Sequence, residues 1–176
     1  MNKKNAWIQP VALGLSDGIL NSLILAAGAI FKGTGGLSIS ISLRVAAVAS
    51  LPALFTVFIS NYANMRADLS RAERELNITK SGRLASSTIG KRLTHDAAAD
   101  ALQAAVASFI GALLPLIIAL LLPNDPWVVV GITLFMLGLL GALLARIVAN
   151  KPVMWFIVSV VGGAAIVAIG VKLNIV

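Results

Sequence analysis

The chain has 176 residues, of which 59% are apolar and only 12% charged, and its net charge is +7; the pI is near 10.4 and the mean hydropathy +0.95. Soluble domains carry about 25% charged residues, so too little polar surface is present to coat a water-soluble globule. That excludes a disordered chain, a DNA-binding domain and an ordinary cytosolic enzyme, and leaves an all-α integral membrane protein whose length allows a single domain, 1–176.

In a membrane chain a basic excess points to orientation rather than to nucleic acid, because basic loops stay cytoplasmic. With no cysteine and one histidine, disulfides, thiolate metal sites and a His-cluster metal site within one chain are excluded.

A crossing needs about 20 mostly apolar residues for a hydrocarbon core of about 30 Å. The first span is predicted over 7–31. It follows a basic Met1-Asn2-Lys3-Lys4 without a small-residue cleavage signature, so it reads as a retained span, not a removed signal peptide. Gly14 and Gly18 form a Gly-xxx-Gly pair suited to close helix packing. Asp17 lies about 15 Å along this helix from Trp7. That is near the membrane middle, where an aspartate costs on the order of 2.5–3.5 kcal/mol, and its short side chain cannot snorkel. It is either a neutral or Asn-paired structural acid, or a cation or proton site. Asn21, four residues on, shares its face.

The second span is predicted over 41–65 and contains Pro52. Asn61 and Met65 share a face at i, i+4, as do Asn64 and Asp68. Amide and carboxylate oxygens suit divalent cations, and a thioether beside them favours a transition metal over calcium or magnesium. Packing alone also accounts for Met65, and Tyr62 reads as an interfacial aromatic. Asp17, Asn21, Asn61 and Met65 are thus candidate metal and translocation residues, and Asn64 and Asp68 candidates for a cytoplasmic mouth.

A cytoplasmic loop is predicted over 66–96. Its first ten residues are helix formers, with Arg71 and Glu75 spaced as an i, i+4 ion pair, so the second span is expected to continue as a helix into the cytoplasm. From Asn77 the composition turns to Ser, Thr, Gly and Lys, which predicts a mobile linker over 77–95, with Thr94 or Asp96 capping the next helix. Glu73 and Glu75 either collect metal at the mouth or form a solvated face paired with Arg71 and Arg74. His95 reads as a loop residue.

Three further spans are predicted over 97–122, 127–149 and 153–173. Gly111, Gly138, Gly141, Gly162 and Gly163 would permit close backbone approach. Pro52 and Pro115 each free a carbonyl that a neighbour must satisfy, whether the kink is a wedge or a gate. Trp7, Trp127 and Trp155 fall near span ends, where interfacial aromatics belong.

Five crossings put the termini on opposite sides. With the N-terminus inside, Lys3, Lys4, Arg146, Lys151 and the seven basic residues of 66–96 are cytoplasmic, and only Lys32, Arg44 and Lys172 lie outside. That asymmetry predicts N-terminus in, C-terminus out. There is no phosphate-binding loop, His-Glu-x-x-His or Gly-x-Ser-x-Gly motif. No catalytic residue or permanently bound cofactor is therefore expected, the chain reads as no enzyme, and any transport would run on a gradient.

Three stretches resemble the vacuolar iron transporter family of five-span divalent-metal transporters. They are Gly14-Leu15-Ser16-Asp17-Gly18-Ile19-Leu20 with Ala26-Ala27-Gly28, Ser108 to Leu116 with Gly111 and Pro115, and Gly162-Gly163-Ala164-Ala165 through Gly170. The resemblance implies metal translocation at Asp17, a homodimer with its path between spans 1 and 2 of each subunit, and exchange of metal for protons. The second span departs from the family's Gly-Glu-Tyr: Asn61 stands in place of the acid and Val57 in place of a preceding methionine. The Glu-rich cytoplasmic metal-binding helices are also missing.

Two functions are compatible with these residues. One is gradient-driven export of Fe²⁺ or Mn²⁺ by a homodimer, with protons as coupling ion, in a bacterial inner membrane. The other is a non-transporting membrane interaction module of the same fold, or a transporter of another small solute.

Overall fold

The computed structural model of the protein describes residues 7–32, 39–76, 86–122, 125–147 and 151–172. These form five helices: α1 (Ile8–Lys32), α2 (Ile39–Glu75), α3 (Thr88–Leu121), α4 (Pro126–Ile147) and α5 (Pro152–Lys172). Each is long and apolar enough to cross a membrane, and the protein is an integral membrane protein. No strand occurs among the described residues. The basic residues Lys3, Lys4, Lys80 and Arg83 used in the orientation count lie outside the described residues, as does the predicted linker over 77–85.

At 1.5 Å per residue, α4 and α5 measure about 33 and 32 Å, a fit to the hydrocarbon core. By the same rise, the 37 residues of α2 and the 34 of α3 span about 55 and 51 Å. Both must project past the membrane at one end, and it is the same end, because α2 and α3 are antiparallel. Ala46 packs with Ala112 and Leu116, whereas Val57, farther along α2, packs with Ala101 and Ala104, earlier on α3.

α3 is the spine of the bundle. Its buried face is a run of small residues, Ala97, Ala101, Ala104, Ala105, Ser108, Gly111 and Ala112, and both α1 and α2 pack along it. Small side chains let helix backbones approach, which is how membrane helices gain packing without a hydrophobic drive between them. α1 runs parallel to α3 in a very close seam. A methyl group at Gly14 would overlap the carbonyl oxygen of Ala104, and one at Gly18 that of Ser108. Conversely, a methyl at Gly111 would come within 2.8 Å of the Leu15 carbonyl oxygen. α4 and α5 form an antiparallel pair with Gly138 under Phe156 and Val160, and Gly141 under Ser159 and Trp155. Gly163 lies against Leu134 and Leu137. Gly162, expected in a helix contact, has no atom within 4 Å of where a side chain would start; it lies on the outward face of α5.

α3 begins well before the predicted 97. Ser87 is its N-cap, accepting the Ile89 N–H at 3.2 Å, so 88–96 is helix, not loop, and His95 is an exposed helical residue. Thr94 does not cap; its hydroxyl donates to the Gly90 carbonyl one turn back, at 3.0 Å, a bond open to a threonine inside a helix. The polar composition after Asn77 masked a capped helix start. On the α2 projection, Arg71 pairs with Asp68 at 3.8 Å in place of the expected Glu75. Glu73, read as either metal-collecting or solvated, is buried. By helix register it sits level with Gly90, where the two projections lie side by side.

Candidate functional site

Depth can be read from the α2–α3 pair. From the far ends at Ile39 and Leu121, about 30 Å of helix reaches Asn61 on α2 and Asp100 on α3. These two residues meet there: the Asn61 amide donates to Asp100 Oδ2 at 3.0 Å. Aromatic and basic groups mark the same level as an interface. Tyr62 stacks on Phe58 at 6.0 Å, and the Arg66 guanidinium lies 5.8 Å over the Tyr62 ring.

Asp17 lies deeper. The Ser108 hydroxyl of α3 donates to its Oδ2 at 3.3 Å, and the Asn21 amide donates to the same oxygen at 3.3 Å. Ser108 is eight residues, about 12 Å, beyond Asp100 along α3. The carboxylate therefore lies about 12 Å along the bundle from the Asn61–Asp100 pair, toward the Ile39 and Leu121 ends of α2 and α3. Ser108 Oγ also lies 3.5 Å from the Ala49 carbonyl oxygen of α2. That carbonyl adjoins Val48, whose backbone oxygen Pro52 deprives of its usual partner. One hydroxyl thus touches three helices. Gly14 and Gly18 are what allow α1 close enough for this contact.

The predicted residues fall into two groups, not one shell. Asp17 and Asn21 belong to the deep cluster. Asn61, Asn64, Met65 and Asp68 line a separate cavity of about 270 Å³ with Asp100 and Gln9, and Leu13 and Val57 supply apolar wall. Glu73 and Glu75 do not line it. Val57, at the position where the family pattern has methionine, is a buried packing residue against Ala101 and Ala104.

Asp100 and Ser108 were missed as site residues. With the third span placed at 97, Asp100 looks like a first-turn acid, favourable at any helix N-terminus. With α3 starting at Thr88, it lies twelve residues in, and its spacing of four from Ala104 and again to Ser108 puts it on the face that α1 and α2 share. That spacing was the available signal.

Among the described residues no three His, Cys, Asp or Glu side chains converge. A cation at Asp17 would meet one carboxylate, an amide oxygen and a hydroxyl from this chain, fewer than the six donors a hard divalent ion usually takes. No family model, curated protein or solved structure matches the chain.

Proposed function

We propose that the protein is a gradient-driven, proton-coupled exporter of a divalent transition metal, Fe²⁺ or Mn²⁺, from the cytoplasm. The observation that carries this reading is Asp17: a carboxylate near mid-membrane, bonded by Ser108 and Asn21 through one oxygen, with no partner for Oδ1 among the described residues. An intramembrane acid is expensive, and a site that alternates between a proton and a cation gives it a reason to be there. The proposal includes membership of the vacuolar iron transporter family, on the motifs around Asp17, Gly111 and Gly162. It also includes a homodimer, because a second copy would supply the donors that one chain lacks. The N-terminus is placed in the cytoplasm, so the projecting α2–α3 end is cytoplasmic, and a bacterial inner membrane is the host. No enzymatic step is assigned.

A second reading is favoured by the same bonds. Asp17 held by Ser108 and Asn21 is also a satisfied polar joint between α1 and α3, and a membrane interaction module would need nothing more from it.

The test is Mn²⁺-dependent proton flux in proteoliposomes. Asp17→Asn is expected to abolish the flux while the dimer stays intact. Flux equal to wild type in that variant removes the exporter reading and leaves the joint.

A further inference from the structure

We propose that the cavity at the membrane boundary, bridged by Asn61 and Asp100, is itself a divalent-cation site. It is a loading station about 12 Å from Asp17 along α3. Its place in a transport path rests on the exporter reading; the binding does not.

Four observations carry it. The first is charge segregation. The projecting end of the molecule holds Arg66, Arg71, Arg74, Lys91, Arg92, Arg146 and Lys151, yet the cavity is lined by two carboxylates and no basic side chain. Arg66 lies over Tyr62, and Arg71 reaches the rim acid Asp68 at 3.8 Å, so Asp100 is the cavity acid that has no basic partner among the described residues. In a surface otherwise strongly positive, a cavity that keeps one unpaired carboxylate, Asp100, favours cations.

The second is donor chemistry. Asp100, Asp68, Asn61, Asn64 and Gln9 bring oxygen donors from three helices, the ligand type divalent cations prefer. Met65 adds a thioether, which tilts the set toward a transition metal.

The third is positioning. The Asn61 amide holds Asp100 through Oδ2 alone, which fixes the carboxylate and leaves its Oδ1 and the Asn61 Oδ1 without a partner among the described residues. The fourth is room. At about 30 Å³ per water, 270 Å³ accommodates a cation with most of its hydration shell, as a station that takes ions from solution requires. Asp68 and Asn64 are exposed and Asn61 and Asp100 half-buried, so the donors grade from solvent inward.

The experiment uses the full chain in nanodiscs of phosphatidylcholine, a neutral lipid, with Mn²⁺ alone as probe and free Mn²⁺ counted by electron paramagnetic resonance. Asp100→Asn is expected to weaken Mn²⁺ binding at least tenfold, and Asp68→Asn about threefold. These affinities are compared in an Asp17→Asn background, so that Mn²⁺ held at Asp17 does not enter the count. Wild-type affinity in a folded Asp100→Asn protein overturns the proposal. Asparagine at position 100 can still accept from Asn61, so the bridge and the fold should survive. Should that variant not fold, a nitroxide on Ala63→Cys in an otherwise unaltered chain decides: relaxation of the label by bound Mn²⁺ supports the site, and none overturns it. The two readings fail separately. Unchanged flux in Asp17→Asn with lost binding in Asp100→Asn removes the exporter and keeps the site. Unchanged binding in Asp100→Asn removes the site whatever the flux.

Discussion

Ser108 on α3 donates its hydroxyl to Oδ2 of Asp17 on α1, at the point where Gly18 brings the α1 backbone against the Ser108 carbonyl. The polar contact and the small-residue contact are one feature. Without a glycine at 18 the helices could not close, and a serine hydroxyl, the shortest polar arm available, could not reach the acid.

If this joint holds α1 to α3, its variants should order by how many bonds each breaks. Interhelical hydrogen bonds in membranes contribute about 0.6 kcal/mol on average and about 1.7 at most. Ser108→Ala should therefore cost about 0.6 kcal/mol. Asp17→Ala leaves both Ser108 and Asn21 without their acceptor and should cost about 1–2 kcal/mol. Asp17→Asn retains an oxygen acceptor and should stay near wild type in stability even where transport is lost. Reversible unfolding in mixed detergent micelles measures the series; equal stability of the Ala and Asn variants would show that the carboxylate does not hold the seam.

The seam itself should be intolerant of one methyl group. Gly14→Ala and Gly18→Ala each place a carbon on a backbone carbonyl of α3, and backbone cannot rotate away as a side chain can. Overpacking of this kind costs about 1–3 kcal/mol or more. Gly162→Ala, facing open space, should be neutral or stabilising by up to about 1 kcal/mol through helix propensity. Thermal aggregation of the three detergent-solubilised variants separates these outcomes. A Gly18→Ala protein as stable as Gly162→Ala would mean that α1 and α3 are farther apart than described.

The unevenness of what could be read from the sequence has physical causes. Long apolar runs set the spans, so α1, α2, α4 and α5 begin and end within about two residues of expectation, the α2 continuation to Glu75 included. The Asp17–Asn21 bond follows from spacing within one helix. Partners on different helices do not: neither Ser108 facing Asp17 nor Asp100 facing Asn61 is written in any local pattern. Gly162 and Gly163 look alike in sequence, but only the second faces α4, because which side of a nearly all-apolar helix turns inward is decided by its neighbours. The early start of α3 was obscured because Ser87 reads as linker until its hydroxyl is seen on the Ile89 N–H.

That cap can be tested alone. Ser87→Ala removes a side-chain acceptor at an otherwise open helix start, a loss of about 1 kcal/mol. The effect should stay local, because the first turn of α3 projects beyond the span. Amide exchange at Ile89 should accelerate about fivefold, with no change at Ala104, deep in the seam. Hydrogen exchange resolved by mass spectrometry checks both sites. Unchanged exchange at Ile89 would place the start of α3 later in the chain.

Orientation is the premise on which the proposed transport is export rather than import. The end from which α2 and α3 project carries Arg66, Arg71, Arg74, Lys91, Arg92, Arg146 and Lys151, and the opposite end Lys32, Arg44 and Lys172. Basic residues flanking short connections resist translocation, so the projecting end should face the cytoplasm. The chain has no cysteine, and single cysteines therefore report without background. In intact cells an impermeant maleimide should label Asp125→Cys and Lys172→Cys, whereas Arg74→Cys and Arg146→Cys should label only after permeabilisation. All four positions are exposed, so silence reflects sidedness and not burial. The inverse pattern would put the Asn61–Asp100 cavity on the outer face, where a loading station serves uptake, and the direction of transport would have to be reversed with it.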